Sequence, residues 1–320
     1  MGILFIIGLD MDFITYEKLG LNNYLLRDDI VNGRSNNEPT DVSGDVNYYP
    51  CSDSNKNFNV PEGKIIHFSD WNHSEIFSGT NRDISIYVPV TSKTEDLGLI
   101  ILQDGDSYMN LNGPVRATSV FDNLIHNKEI DPFIAIFVMP GRPKGVKKNP
   151  IGTLRTKEAH FQRSIEYDSC DDKYLKFLQN ELIPFALNEI NIEITDDPSR
   201  RLLIGMSSGG ICSFNAAWHD PNSFGNVISH CGSFTNIRGG HNYPSLIRST
   251  EKKPIKVFLQ SGKLDLNNIY GNWSLSNKEM ASALKFAGYS YRFEFGAGGH
   301  SLNHGGSLFA ESLKWIFNTK

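Results

Sequence analysis

Short, continuous apolar runs bounded by turn residues recur along this chain from about residue 84 onward. Ile84–Val90 (I-S-I-Y-V-P-V) reads as a strand, Tyr291–Phe295 is strand-like, and the continuous runs Leu99–Leu102, Phe133–Val138, Leu202–Ile204, Val227–Ile228 and Ile255–Leu259 are each too short to make a helix. Such runs suit strands buried on both faces, as in a parallel sheet. Pro89 marks the first of them as an edge strand or a strand end. Between the runs the apolar spacing becomes helical. Tyr174, Leu175, Phe177, Leu178, Leu182 and Phe185 fall largely on one face, with Asp171 and Asp172 near the helix start. Ala281, Leu284 and Phe286 belong to a helix that Gly288 closes, and Leu308, Leu313, Ile316 and Phe317 mark the last one. Strand–helix alternation over this length predicts an α/β fold with a mostly parallel central sheet and helices on both faces. Residues from about Lys18 to Glu62 are rich in Asn, Asp, Ser and Gly and carry no sustained apolar period. The expected division is therefore a flexible or weakly ordered extension over 1–62 and one α/β domain over 63–320.

Composition narrows the function classes. The chain has 320 residues, 39% of them apolar, enough for a sizeable core. Thirty-one Lys and Arg against 36 Asp and Glu leave a net charge of −5, the wrong sign for a nucleic-acid binder. The four cysteines form no C-x-x-C pair, so neither a zinc module nor a disulfide scaffold is expected. No apolar run approaches the ~18 residues of a membrane span. Gly2 to Leu9 has the length of an export-signal core, but it lacks a basic flank, and Asp10 and Asp12 stand where a cleavage site belongs. That pattern favours the cytoplasm over export.

In open α/β sheets the ligand site lies beyond the C-terminal ends of the strands. The residues found there are Gln103-Asp104-Gly105-Asp106, Gly141-Arg142-Pro143, Ser207-Ser208-Gly209-Gly210, Cys231-Gly232-Ser233, Gly262-Lys263-Leu264-Asp265 and Gly298-Gly299-His300. A nucleophile, an acid and a histidine are all in that set. Gly205-Met206-Ser207-Ser208-Gly209 is G-x-S-x-G, and it follows a strand and opens the helix-compatible stretch Ile211 to Trp218. This is the strand–turn–helix setting of a nucleophile elbow, whose helix N-terminus points N–H groups at developing negative charge. A serine hydroxyl needs a base, and the base needs an orienting acid.

In the chain order Ser, acid, His, the expected roles are Ser207 as nucleophile, Asp265 as acid and His300 as base. Oxyanion donors are expected from the Ser208 amide and from the amide of Gly105 or Asp106. His300-x-x-x-His304 has the spacing of a metal pair, but Ser301 stands where a zincin motif has its general-base Glu, and no metal or other cofactor is expected. Arg238 and His241, in a loop after a strand, are candidate substrate-binding residues together with Asp106. Arg142, Lys144, Lys147 and Lys148 would favour an anionic substrate if they face the cleft.

Gln103-Asp104-Gly105, I-G-M-S-S-G-G, S-G-K-L-D and G-G-H, in this order, resemble the putative esterase family of α/β-hydrolases typified by enterochelin esterase. That family also contains feruloyl esterases, acetylxylan esterases and mycolyltransferases. The resemblance spans roughly Asp83 to Phe317 and implies the same three catalytic residues. It further implies that Arg163-Ser164-Ile165-Glu166-Tyr167, similar to the family's Arg-x-x-Glu, lies in a substrate-side loop. Arg163, Glu166 and Tyr167 thereby join the substrate-binding candidates, although Tyr167 and Asp168 depart from the family's apolar continuation. The implied partner is a small-molecule or carbohydrate ester. Acyl transfer by the same triad and a non-catalytic binding protein on this scaffold are the alternatives.

Overall fold

The computed structural model describes residues 40–147 and 156–318. Eight strands form the main sheet: β1 (Lys64–Trp71), β2 (Thr80–Val88), β3 (Gly98–Gln103), β4 (Phe133–Val138), β5 (Arg201–Met206), β6 (Asn226–His230), β7 (Lys256–Leu264) and β8 (Ser290–Gly299). Their spatial order is β1-β2-β4-β3-β5-β6-β7-β8, and the two-residue piece Arg142–Pro143 pairs beside β2. β1 and β4 each run antiparallel to β2, and every other neighbouring pair is parallel. The molecule is the expected α/β fold with a mostly parallel sheet.

Burial explains the apolar runs. Along β3, Leu99 and Ile101 enter one core while Ile100 and Leu102 enter the other, and β4 divides Ile134, Ile136 and Val138 from Phe133, Ala135 and Phe137 in the same way. Both faces are covered, so the period-two alternation of a half-wet strand disappears. The first face carries α3 (Lys157–Tyr167), α4 (Lys173–Phe177), α5 (Ile183–Ile190), α6 (Ser208–His219), α7 (Tyr243–Ser249) and α8 (Trp273–Phe286). The second carries α1 (Gly105–Met109), α2 (Ala117–His126) and α10 (Phe309–Phe317), with the short α9 (Asn303–Ser307) leading into the last.

Three local features refine the sequence expectations. β2 ends at Val88 and lies inside the sheet, so Pro89 marks a strand end and not an edge. The helix expected around Tyr174 to Phe185 is interrupted by one π turn, Leu178–Leu182, directly before Pro184, whose ring nitrogen has no hydrogen to give to a regular ladder. The third is a correction. Residues 40–62, expected to belong to a weakly ordered extension, pack on the domain through 3₁₀ turns at Ser43–Asn47 and Ser52–Ser54. Hydrogen bonds tie the segment down: Asn123 of α2 donates to the Asp53 and Asn55 carbonyls, and the Asp45 side chain accepts from the Gly299 amide at the end of β8. The earlier part of the expected extension, with Gly2 to Leu9, lies outside the described residues.

Candidate active site

β5 runs directly into α6 through Ser207, whose backbone sits at φ 58 and ψ −122. A residue with a Cβ rarely occupies this region, and it persists only when its surroundings hold it. They do: Ser207 N–H donates to the His230 carbonyl at 2.9 Å, and the Ser207 carbonyl accepts from Ile211 and Ser233 N–H. The turn is tight enough that a Cβ on Gly205 would strike the Gly209 carbonyl, which is why glycine stands there. The result lifts the serine hydroxyl above the sheet at the N-terminus of a 12-residue helix.

The other two expected residues meet it there. His300 Nε2 lies 2.9 Å from Ser207 Oγ, and His300 Nδ1 lies 2.6 Å from Asp265 Oδ1. Asp265 follows β7 and is buried, its remaining lone pairs taken by Ser261 Oγ–H at 2.7 Å and the Leu266 amide at 2.9 Å. A carboxyl group so furnished with donors is held in place beside the imidazole. Trp273 stands edge-on to the His300 ring, with centroids 6.0 Å apart. Its indole N–H donates to Ser233 Oγ, which is in turn 3.2 Å from Ser207 Oγ. Sequence reasoning missed both roles, although Ser233 stands in the strand-end set.

Opposite the elbow, α1 begins at Gly105 with Asp104 as its left-handed cap residue at φ 55. The first N–H groups of α1 and α6 have no partner inside their helices. A Cβ on Gly105 would collide with Phe137 of β4, so only glycine lets this loop lie so close to the sheet. Arg163 grips Asp104 with two parallel bonds, Nε–Oδ1 at 3.0 Å and Nη2–Oδ2 at 2.7 Å. Burial works to lower the Arg163 pKa, but the Asp104 carboxylate outweighs it and holds the guanidinium charged. Tyr167 OH accepts from the Asp104 amide at 3.3 Å.

These contacts correct the family-based expectation for the Arg163 segment. Tyr167 is fully buried, and burial raises its hydroxyl pKa well above the ordinary value. Glu166 is buried against Arg82, with bonds of 2.9 and 3.1 Å, and also accepts from the Gly141 amide and Gln162. Both side chains are buried and engaged within the protein. Arg163 is committed to Asp104. Arg163 and Tyr167 hold the Asp104 loop, while Glu166 ties α3 to β2 and to Gly141. Motif matching missed this because Asp104 and Arg82, the partners that define these contacts, are 59 to 84 positions away.

The remaining candidates divide. Arg238 Nε donates to Ser164 Oγ at 3.0 Å, its guanidinium lies 5.6 Å from the Phe161 ring centroid, and burial lowers its pKa against the attraction of Asp168. Asp168 is itself buried, and desolvation raises its carboxyl despite Arg163 and a bond with Ser208. Asp106 lies in the first turn of α1 and is partly buried. His241 is exposed on the 3₁₀ turn Gly240–Asn242. Arg142 is buried and paired with Asp70 at 2.5 Å, which removes it from an anionic cleft, and Lys148 lies outside the described residues.

The two histidines of the metal-like spacing serve different partners: His304 Nδ1 bonds Gln260 Nε2 at 3.0 Å and its ring stacks on Tyr48. Among the described residues, the donor atoms of Cys231, Asp265 and His300 do lie within 4.8 Å of one another. Burial, followed by Asp265, pushes the Cys231 thiol well above its usual pKa, which opposes the thiolate a soft metal would need. No described helix is long and apolar enough to cross a membrane.

The comparisons with known proteins agree with this architecture. The chain is 25% identical over 186 residues to the iron(III) salmochelin esterase of Escherichia coli O6:H1, a match covering 58% of this chain and 40% of that protein. A crystal structure of the enterobactin esterase from Shigella flexneri superposes with a TM-score of 0.63 at 19% identity, over 84% of this chain and 61% of that one. The chain thus spans less than two thirds of either siderophore esterase. A ferulic acid esterase from the anaerobic fungus Anaeromyces mucronatus superposes with a TM-score of 0.61 at 15% identity, over 88% of this chain and 100% of that one. At such identities the structural likeness fixes the α/β-hydrolase fold. The family model described as Putative esterase matches residues 74–316, three quarters of the chain, and the protein belongs to that family.

Proposed function

We propose that this protein hydrolyses carboxylic esters through a serine acyl-enzyme. The observation that carries the reading is the unbroken chain from Ser207 Oγ through His300 to Asp265, with bonds of 2.9 and 2.6 Å. Ser207 attacks the ester carbonyl carbon while His300 Nε2 accepts the hydroxyl proton. Asp265 holds the Nδ1–H tautomer and stabilises the imidazolium. The tetrahedral oxyanion takes hydrogen bonds from the Ser208 amide and from the first amide of α1, at Gly105; one such donor is typically worth ~10²–10³ in rate. His300 then protonates the leaving alcohol as the carbon–oxygen bond breaks. A water molecule, deprotonated by the same imidazole, attacks the acyl-enzyme and releases the acid.

Siderophore esters and ferulic acid esters are the substrate classes this reading favours, by the names of the relatives, with acetyl carbohydrate esters a further class that the sequence resemblance implies. Acyl transfer to an alcohol or sugar would share the first half of the reaction. The test is hydrolysis of p-nitrophenyl acetate and butyrate by the wild type beside Ser207→Ala. We expect the variant to lose a factor of at least ~10³, since triad members act as a unit. Equal rates in both proteins would remove Ser207 from this chemistry and favour a binding role. Following products with an added sugar acceptor separates hydrolysis from transfer.

A further inference from the structure

β8 is the outer strand of the sheet, and its last residues lead straight to His300. An edge strand leaves every second N–H without a ladder partner. Near the end of β8 these are the amides of Ala297 and Gly299, and both are taken by side chains from a segment more than 240 positions earlier. The Ala297 amide donates to Tyr48 OH at 2.9 Å, and the Gly299 amide donates to Asp45 Oδ1 at 3.0 Å. The second Asp45 oxygen accepts from Ser301 Oγ–H at 2.6 Å. One buried carboxylate therefore holds both chain neighbours of His300. The Tyr48 ring also stacks on His304, centroids 4.1 Å apart and planes at 18°.

The fit extends to the backbones. A Cβ on Gly44 would strike the Ala297 carbonyl, one on Gly296 the Tyr48 hydroxyl, and one on Gly299 the Asp41 carbonyl. Glycines on both partners let two main chains approach more closely than side chains would permit. A segment that merely happened to cover the surface would not require them from both sides.

We infer that residues 41–48 form a strap whose Asp45 and Tyr48 are positioning residues for His300. The inference rests on the esterase reading above. One carboxyl group accepts from the Gly299 amide and from the Ser301 hydroxyl, and so tethers the residues on either side of the base. Its Nε2 must stay within hydrogen-bond reach of Ser207 Oγ, and a misplacement of about 1 Å in such a site costs ~10² in rate. The strap's bonds go to the end of β8 and to Ser301, with its ring stacked on His304, so its loss should act on turnover more than on substrate affinity.

The test compares Asp45→Ala, Asp45→Asn and Tyr48→Phe with Asn123→Ala in the full-length protein. Asn123 ties a later part of the same segment to α2, through the Asp53 and Asn55 carbonyls, without touching β8. Two readouts are taken: kcat and KM on p-nitrophenyl butyrate, and hydrogen exchange of the amides at 297 and 299. Asp45→Ala should lower kcat ~10- to 100-fold with KM changed less than about threefold. Asp45→Asn, which keeps one acceptor oxygen, should recover a large part of that loss, and Tyr48→Phe should expose the 297 amide while retaining the ring stack. Asn123→Ala should lower stability and leave kcat within about twofold. Equal losses of kcat in Asp45→Ala and Asn123→Ala would reduce the strap to general scaffolding and overturn the inference. Unchanged exchange at 299 in Asp45→Ala would overturn it whether or not the protein is an esterase. Failure of the esterase reading is detected separately, by Ser207→Ala.

Discussion

Ser207 is held in a backbone conformation that costs of order 1–3 kcal/mol, and the cost is met by bonds from β6 and by glycines that admit the turn. Asp104 is the complementary case across the cleft: left-handed, at the start of α1, and clamped by Arg163. Arg163 carries no role in the proposed chemistry, yet the Gly105 amide stays where it is only while Asp104 does. Arg163→Met keeps the packing of the alkyl stem and removes the fork. It should lower kcat on p-nitrophenyl butyrate by ~10-fold or more, a fraction of the ~10²–10³ of a lost oxyanion donor, with a smaller change in KM. A KM effect with unchanged kcat would instead return Arg163 to substrate binding, as motif comparison implied. The assembly of Ser207, Asp265 and His300 was legible in sequence because each follows an apolar run that has to be a strand. The duties of Arg163, Glu166 and Tyr167 were not, because each is defined by a partner that no local spacing reveals. Ser233 and Trp273 were hidden for the same reason: a serine after a strand and a tryptophan at a helix start are ordinary until folding sets them beside Ser207.

At the scale of elements, the strands covered on both faces were readable, as was the part-exposed outer strand β8, but the other outer strand was not. β1 (K-I-I-H-F-S-D-W) is an outer antiparallel strand, so its side chains do not form an apolar run. The strap was misread on composition, because polar residues that serve as hydrogen-bond acceptors look the same as polar residues that face water. α3 shows how a helix of modest apolar content is held. Its Glu166 meets Arg82 of β2 with both side chains fully inaccessible to solvent, and the guanidinium stacks on Phe177 at 4.2 Å. Breaking one half of a buried pair typically costs about 3–5 kcal/mol, because the partner's charge is left behind. Glu166→Gln should therefore lower the unfolding free energy by about that much in a denaturant titration. Arg82→Met combined with Glu166→Leu should recover only part of it, since the Gly141 amide and Gln162 also lose their acceptor. A loss below about 1 kcal/mol for Glu166→Gln would mean that the pair is not desolvated in solution.

Across the whole molecule, the second core contains one imidazole that links the fold to pH. His230 ends β6, supplies the carbonyl that holds Ser207, and packs its ring beside Tyr108 and Phe309. Tyr108 OH bonds its Nδ1 at 3.0 Å, while its buried Nε2 has no protein partner among the described residues. Burial, reinforced by the nearby His304, lowers its pKa to about 3. In the unfolded chain the same group titrates near the ordinary value of about 6.5. The folded pKa is depressed, so the unfolded state binds the extra proton first. This contribution to stability is fully present above about pH 6.5 and is lost as pH falls toward 3, at up to about 1.4 kcal/mol per pH unit. The unfolding free energy of the wild type, measured by denaturant at half-unit steps from pH 8 to 4, should hold level and then fall below about pH 6.5. His230→Gln, which can still meet the Tyr108 hydroxyl, should start from a lower plateau and fall less steeply, by about one proton's slope. Parallel curves for the two proteins would show that His230 titrates in the fold as it does in the unfolded chain, and with it that the second core is wetter than its packing implies. Divergence below about pH 6.5 would tie the turn that holds Ser207 to a buried imidazole, so that any Ser207-dependent activity and global stability should decline together on the acid side.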